Sequence, residues 1–124
     1  QSSGVRAPQP YLDFGMMLLQ QGKPAQALPL LQKAVALDPQ NPRAHEQLGK
    51  TWQQLHNLPN ADAEMQAAIR QAPDISALHF EMGRIFQLEG LNTKAKQEFD
   101  RCAALNATHS TDSAATPNSP PPDQ

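Results

Sequence analysis

The sequence predicts an all-α chain of three helical hairpins stacked into an α-solenoid, and three observations predict it. Gly15, Gly49 and Gly83 recur every 34 residues, each behind an apolar residue, Phe14, Leu48 or Met82. The columns Tyr11/His45/His79, Leu18/Trp52/Phe86, Ala27/Ala61/Ala95, Leu31/Met65/Phe99 and Ala34/Ala68/Cys102 keep the same register. Within each period the apolar residues fall three and four apart in two runs, the spacing of two amphipathic helices separated by a break. Hairpins that cannot bury their faces alone do so by stacking on their neighbours.

The elements follow in order. After an N-terminal extension, 1–7, the units are 8–41, 42–75 and 76–109, and a tail occupies 110–124. In the first unit Tyr11, Phe14, Gly15 and Leu18 line helix A, Gln21-Gly22-Lys23 makes the turn, and Ala27, Leu31, Ala34 and Val35 line helix B. Pro24 suits the first turn of helix B, where its missing N–H costs little, and Asp38-Pro39 ends that helix before Asn41-Pro42 opens the next. Pro29, inside helix B, is expected to bend the first turn or remove a hydrogen bond. The second and third units break at His56-Asn57 and Gly90; Gly22 and Gly90 suit the left-handed residue that ends a helix. Pro39 and Pro73 share a column in which the third unit has Ala107. Small residues at the glycine and alanine columns let helices A and B approach. Each unit is expected to close its own apolar knot: Phe14, Leu18 and Leu31; Leu48, Trp52 and Met65; Met82, Phe86 and Phe99.

Composition narrows the function classes. Ten basic against twelve acidic residues give a formal net charge of -2, which supplies no broad basic field for nucleic acid or an acidic membrane. The best apolar run, Met16 to Leu19, is cut short by Gln20 and Gln21, so no membrane span is expected. A single cysteine, Cys102, excludes an internal disulfide and a zinc site built on a cysteine pair, and packing is its expected role. Gln1 in place of methionine leads us to expect a processed product or a piece of a longer chain. There is no glycine-rich phosphate loop, G-x-S-x-G or H-E-x-x-H, so neither catalysis, a cofactor nor a resident metal is expected.

The repeat resembles the tetratricopeptide repeat family, whose signature is W-x2-L-G-x2-Y, then A-x3-F, then P, over 34 residues. Here it reads Tyr11-x2-Phe14-Gly15-x2-Leu18, His45-x2-Leu48-Gly49-x2-Trp52 and His79-x2-Met82-Gly83-x2-Phe86. The second halves are Ala27-x3-Leu31 with Pro39, Ala61-x3-Met65 with Pro73, and Ala95-x3-Phe99 without the proline. His45 and His79 replace the tryptophan. As a metal pair or pH switch they lack a third ligand in view, so packing at the start of the A helices is their expected role. His56 and His109 fall in a turn and at the tail.

The resemblance implies a right-handed superhelix whose A helices line a concave groove that holds a partner's peptide segment. On helix A the stripe beside the core reads Leu12, Met16 and Leu19 in the first unit, Arg43, Glu46, Lys50 and Gln53 in the second, and Phe80, Arg84 and Gln87 in the third. It runs from apolar to charged, suiting an extended ligand with an apolar residue and a carboxylate. One subclass of the family clamps the C-terminal carboxylate of heat-shock chaperones with Lys and Asn, Asn, then Lys and Arg at these columns. This chain has Leu12, Met16, Lys50 and Phe80 there and agrees only at Arg84, which argues against a co-chaperone role.

The tail carries four prolines with several Ser and Thr residues and no periodic apolar residue, so disorder is expected, with Pro120 to Pro122 read as a linker rather than a polyproline ligand. Asn106-Ala107-Thr108 fits the glycosylation acceptor pattern, a weak signal alone. With no capping helix after the third unit, Leu88, Leu91 and Leu105 are expected to lie near an open end. Two classes remain: a scaffold or adaptor that binds a protein or peptide partner in its groove, and a structural or self-assembling unit, a homo-oligomer through its C-terminal end or a spacer in a larger protein or complex, with export left open.

Overall fold

The computed structural model describes residues 7–114 of the 124. Six helices run through them: α1 (Pro8–Gln20), α2 (Pro24–Leu37), α3 (Pro42–Gln54), α4 (Leu58–Gln71), α5 (Ser76–Leu88) and α6 (Asn92–Ala114). They pair as α1 with α2, α3 with α4 and α5 with α6, and each second helix then packs on the first of the following pair. No strand occurs among the described residues.

Local chemistry sets the breaks. Gly22, His56 and Gly90 take the left-handed conformation, with φ of 76°, 64° and 79°. In each turn the next N–H reaches back five residues, Lys23 to Leu18, Asn57 to Trp52 and Leu91 to Phe86, at 2.8–2.9 Å, closing the helix end. Asn41 and Asn57 then cap α3 and α4 by accepting from the N–H groups of Arg43 and Asn60. Pro29 lies inside α2 with its ring exposed, and the helix continues through it.

Without a proline at Ala107, nothing enforces the extended backbone that ends α2 at Asp38-Pro39 and α4 at Ala72-Pro73, and α6 runs on through Ala114. The tail expected from Ser110 is described only that far. Residues 115–124, with the Pro120 to Pro122 run, lie outside the described residues, as does most of the N-terminal extension. The acceptor pattern at Asn106 falls inside α6, where Thr108 Oγ1 donates to the Ala104 carbonyl.

The core keeps part of the expected knots, with Met82, Phe86 and Phe99 in one cluster and Leu18 with Leu31 in the other, but Leu48 and Met65 fall into different clusters and both clusters cross from one unit to the next. Leu12, Leu18, Leu19, Ala27, Leu31 and Ala34 share one buried cluster with Ala44 and Leu48 of α3. Ala61, Met65 and Ala68 of α4 join Leu78, Met82, Ile85, Phe86 and Ala95 in a second, and Trp52 packs against both. Leu48 and Met82 are 3% and 2% exposed because a preceding helix B covers them. Phe14, in the same column, has no such neighbour and is 48% exposed, so it belongs to no core knot.

The candidate partner groove

The A helices α1, α3 and α5 form the surface that the sequence nominated, and the structure sorts its residues into three groups. Met16, Leu19, Arg43 and Lys50 surround a cavity of about 260 Å³ between α1 and α3, together with Gln20, Gln47 and Gln54. Lys50, Gln53 and Arg84 surround a second of about 240 Å³ between α3 and α5, with Gln54 and Glu81. Lys50 belongs to both and holds them in one line. Its Nζ lies 4.0 Å from Glu81 Oε2 across the α3–α5 seam. The guanidinium groups of Arg43 and Arg84 are exposed and make no ion pair among the described residues.

Glu46 is half-buried beside them. Burial pushes its carboxyl above the ordinary carboxylate range, against the pull of Lys50 and Arg43 and with the help of the Glu81 charge. Neutralisation of Glu46 therefore comes more easily than for a solvated glutamate, which lessens its opposition to an incoming anion.

The other nominated residues sit elsewhere. Leu12 is 2% exposed, within the first core cluster, and Leu19 is also buried, with one edge reaching the first cavity. The expected apolar pocket of the first unit is thus mostly core, since Leu12 sits against the next helix pair rather than facing solvent. Phe80, 43% exposed, turns towards Phe99, ring centroids 5.7 Å apart. Gln87 lines a cavity of about 310 Å³ at the C-terminal end with Asn92, Ala95, Lys96 and Phe99.

The sequence did not single out Gln20, Gln47, Gln54 or Glu81 as groove residues. It also left out the partners of the histidines. His45 Nε2 lies 2.8 Å from the Pro39 carbonyl and Nδ1 2.7 Å from Glu64; His79 repeats this with Pro73 at 2.7 Å and Glu98 at 2.8 Å. A carbonyl only accepts, so Nε2–H donates to it. Arg101 also donates to Glu98. The motif was visible as a 34-residue echo of Glu64 and Glu98, with Leu30 breaking it in the first unit, yet nothing in the sequence tied those carboxylates to the histidines.

The tetratricopeptide repeat family model matches residues 18–81, half of the chain. The chain is a member of the tetratricopeptide repeat family. Among solved structures, it is similar to MamA, with a TM-score of 0.79 at 18% identity, over 85% of this chain and 61% of that one. It is similar to the second TPR of Spaghetti (RPAP3) bound to the HSP90 peptide SRMEEVD, with a TM-score of 0.75 at 19% identity, over 79% of this chain and 91% of that one. YrrB, described as a TPR protein with an unusual peptide-binding site, gives 0.78 at 23% identity, over 83% of this chain and 53% of that one. The tetratricopeptide chain thus spans about three fifths of the length of MamA. No curated protein matches it in sequence. The fold is that of a protein–protein interaction scaffold, and no described helix is long and apolar enough to cross a membrane.

Proposed function

We propose that this chain is a non-catalytic adaptor that holds an extended peptide segment of a partner protein along the α1–α3–α5 face. The observation that carries the reading is the pair of adjoining cavities joined by Lys50, with Arg43 at one end and Arg84 at the other. Three cations against the carboxylates of Glu46 and Glu81 leave this face net positive in a chain with net charge -2, which favours an anionic ligand there. Arginine offers a carboxylate two parallel N–H donors, and Met16 with the edge of Leu19 leaves a small apolar contact beside Arg43. The ligand class is an extended peptide bearing a side-chain or terminal carboxylate and an apolar residue. Two solved structures similar to this chain are described by their peptide sites or peptide ligands, which supports the reading.

The test is a peptide array of acidic and C-terminal-carboxylate sequences, with hits measured by fluorescence polarisation against the wild type and the Lys50→Glu, Arg84→Glu double variant. Two charge-assisted contacts at about 1.5 kcal/mol each correspond to a loss of roughly a hundredfold. Added salt should weaken wild-type binding. Equal binding to wild type and variant, or an array without hits, overturns the proposal.

A further inference from the structure

The seam between units is built twice inside this chain. In the first copy Leu31 and Ala34 of α2 meet Ala44 and Leu48 of α3; in the second, Met65 and Ala68 of α4 meet Leu78, Met82 and Ile85 of α5. Among the described residues each half also occurs once without its counterpart. On α1 the columns of Ala44/Leu48/Thr51 and Leu78/Met82/Ile85 are held by Pro10, Phe14 and Met17, all exposed, whereas the residues they correspond to are all buried. On α6 the columns of Leu31/Ala34/Val35 and Met65/Ala68/Ile69 are held by Phe99, Cys102 and Ala103. Phe99 and Cys102 are only half-buried where their counterparts are buried, and Ala103 is exposed.

We infer that a second copy of this chain completes the seam, α6 of one molecule docking on α1 of the next in the register of the two internal seams. Several features of the faces point to this occupant. The two loose faces are the two complementary halves of an interface already formed twice in the fold, so the contact continues an established one. Neither face carries a charge at its central columns, and both present apolar side chains there, Phe14 and Met17 on one and Phe99, Cys102 and Ala103 on the other. The union is head-to-tail rather than two-fold, because the two faces differ, so it leaves a free face at each end and propagates. It uses no residue of the two groove cavities, and therefore stands or falls apart from peptide binding.

Sedimentation velocity over roughly a hundredfold range of concentration tests the inference, since association responds to mass action. The wild type should grow in mass with concentration beyond a dimer. Phe14→Glu blocks only the α1 face and Ala103→Glu only the α6 face, and because both positions are exposed in the single chain neither change removes core; circular dichroism checks that each variant keeps its helix content. Each variant should retain one intact face and sediment as a monomer alone. Mixed in equal amounts, they should form a one-to-one dimer and stop, since only one complementary pair of faces survives. A wild type that stays monomeric throughout, assembly that persists in either variant alone, or a mixture that fails to pair each overturns the inference.

Discussion

Replacing each of the three column glycines by alanine separates helix propensity from close packing. All three lie inside A helices, where alanine is favoured over glycine by about 1 kcal/mol, so propensity alone would stabilise every variant equally. The added methyl group decides otherwise. At Gly49 it would meet the end of Met65 at 3.2 Å, an unbranched side chain that yields at little cost, and a net gain of about 0.5 kcal/mol is expected. At Gly15 it would sit 2.6 Å from Cγ of Leu31, the branch point of a fully buried side chain, which cannot bend away as the end of a methionine can. Overpacking of that kind costs about 1–3 kcal/mol, so Gly15→Ala should lose about 1 kcal/mol net. Gly83→Ala approaches the Phe99 ring at 2.6 Å, but that ring lies at the open end and can turn, so the terms should nearly cancel. Urea denaturation followed by circular dichroism reads the order directly. A Gly49→Ala variant as unstable as Gly15→Ala would refute the claim that the flexibility of the opposing side chain, rather than the column, sets the cost.

Three further outcomes are expected from similar reasoning. Glu98→Ala removes a buried carboxylate bonded by both His79 and Arg101 and should cost about 3 kcal/mol, whereas Glu64→Ala, whose carboxylate is half-buried and bonded to His45 alone, should cost about 1 kcal/mol; equal shifts in thermal midpoint would contradict this. Glu46→Gln should stabilise the fold at neutral pH and lose that advantage in acid. The folded-state pKa is raised above the ordinary 4.5, so the desolvation penalty is absent where both states are protonated and complete only above the folded value; an advantage that grows in acid would reverse the sign. Pro29→Ala should restore an N–H donor and remove a ring inside α2, stabilising the fold by about 1 kcal/mol or more in chemical denaturation, and a loss would show that the proline sits there without strain.

Much of the architecture is written as a period. The 34-residue register, the prolines at Pro24 and Pro42 and the left-handed glycines Gly22 and Gly90 are local or column properties that need no distant neighbour, whereas the left-handed His56 and the caps at Asn41 and Asn57 emerge only in the structure. Lys50 and Arg84 were legible in the same way, being charges on the stripe beside the core. Their sharing of one line with Arg43, Gln54 and Glu81 was not, because it depends on how far α1, α3 and α5 stand apart. The histidine clamps were hidden for a related reason: Glu64 and Glu98 lie nineteen residues from the rings they contact, and only the hairpin closes that distance.

Burial is where column and position part company. Phe14 shares a column with Leu48 and Met82 and yet is exposed, while Leu12 shares one with Phe80 and yet is buried. The sequence by itself determined the repeat, the helices and which faces are apolar. Only the tertiary structure decided which members of a column leave water, because in a solenoid a residue is covered by the unit before or after it, and among the described residues the first and third units have one such neighbour where the second has two.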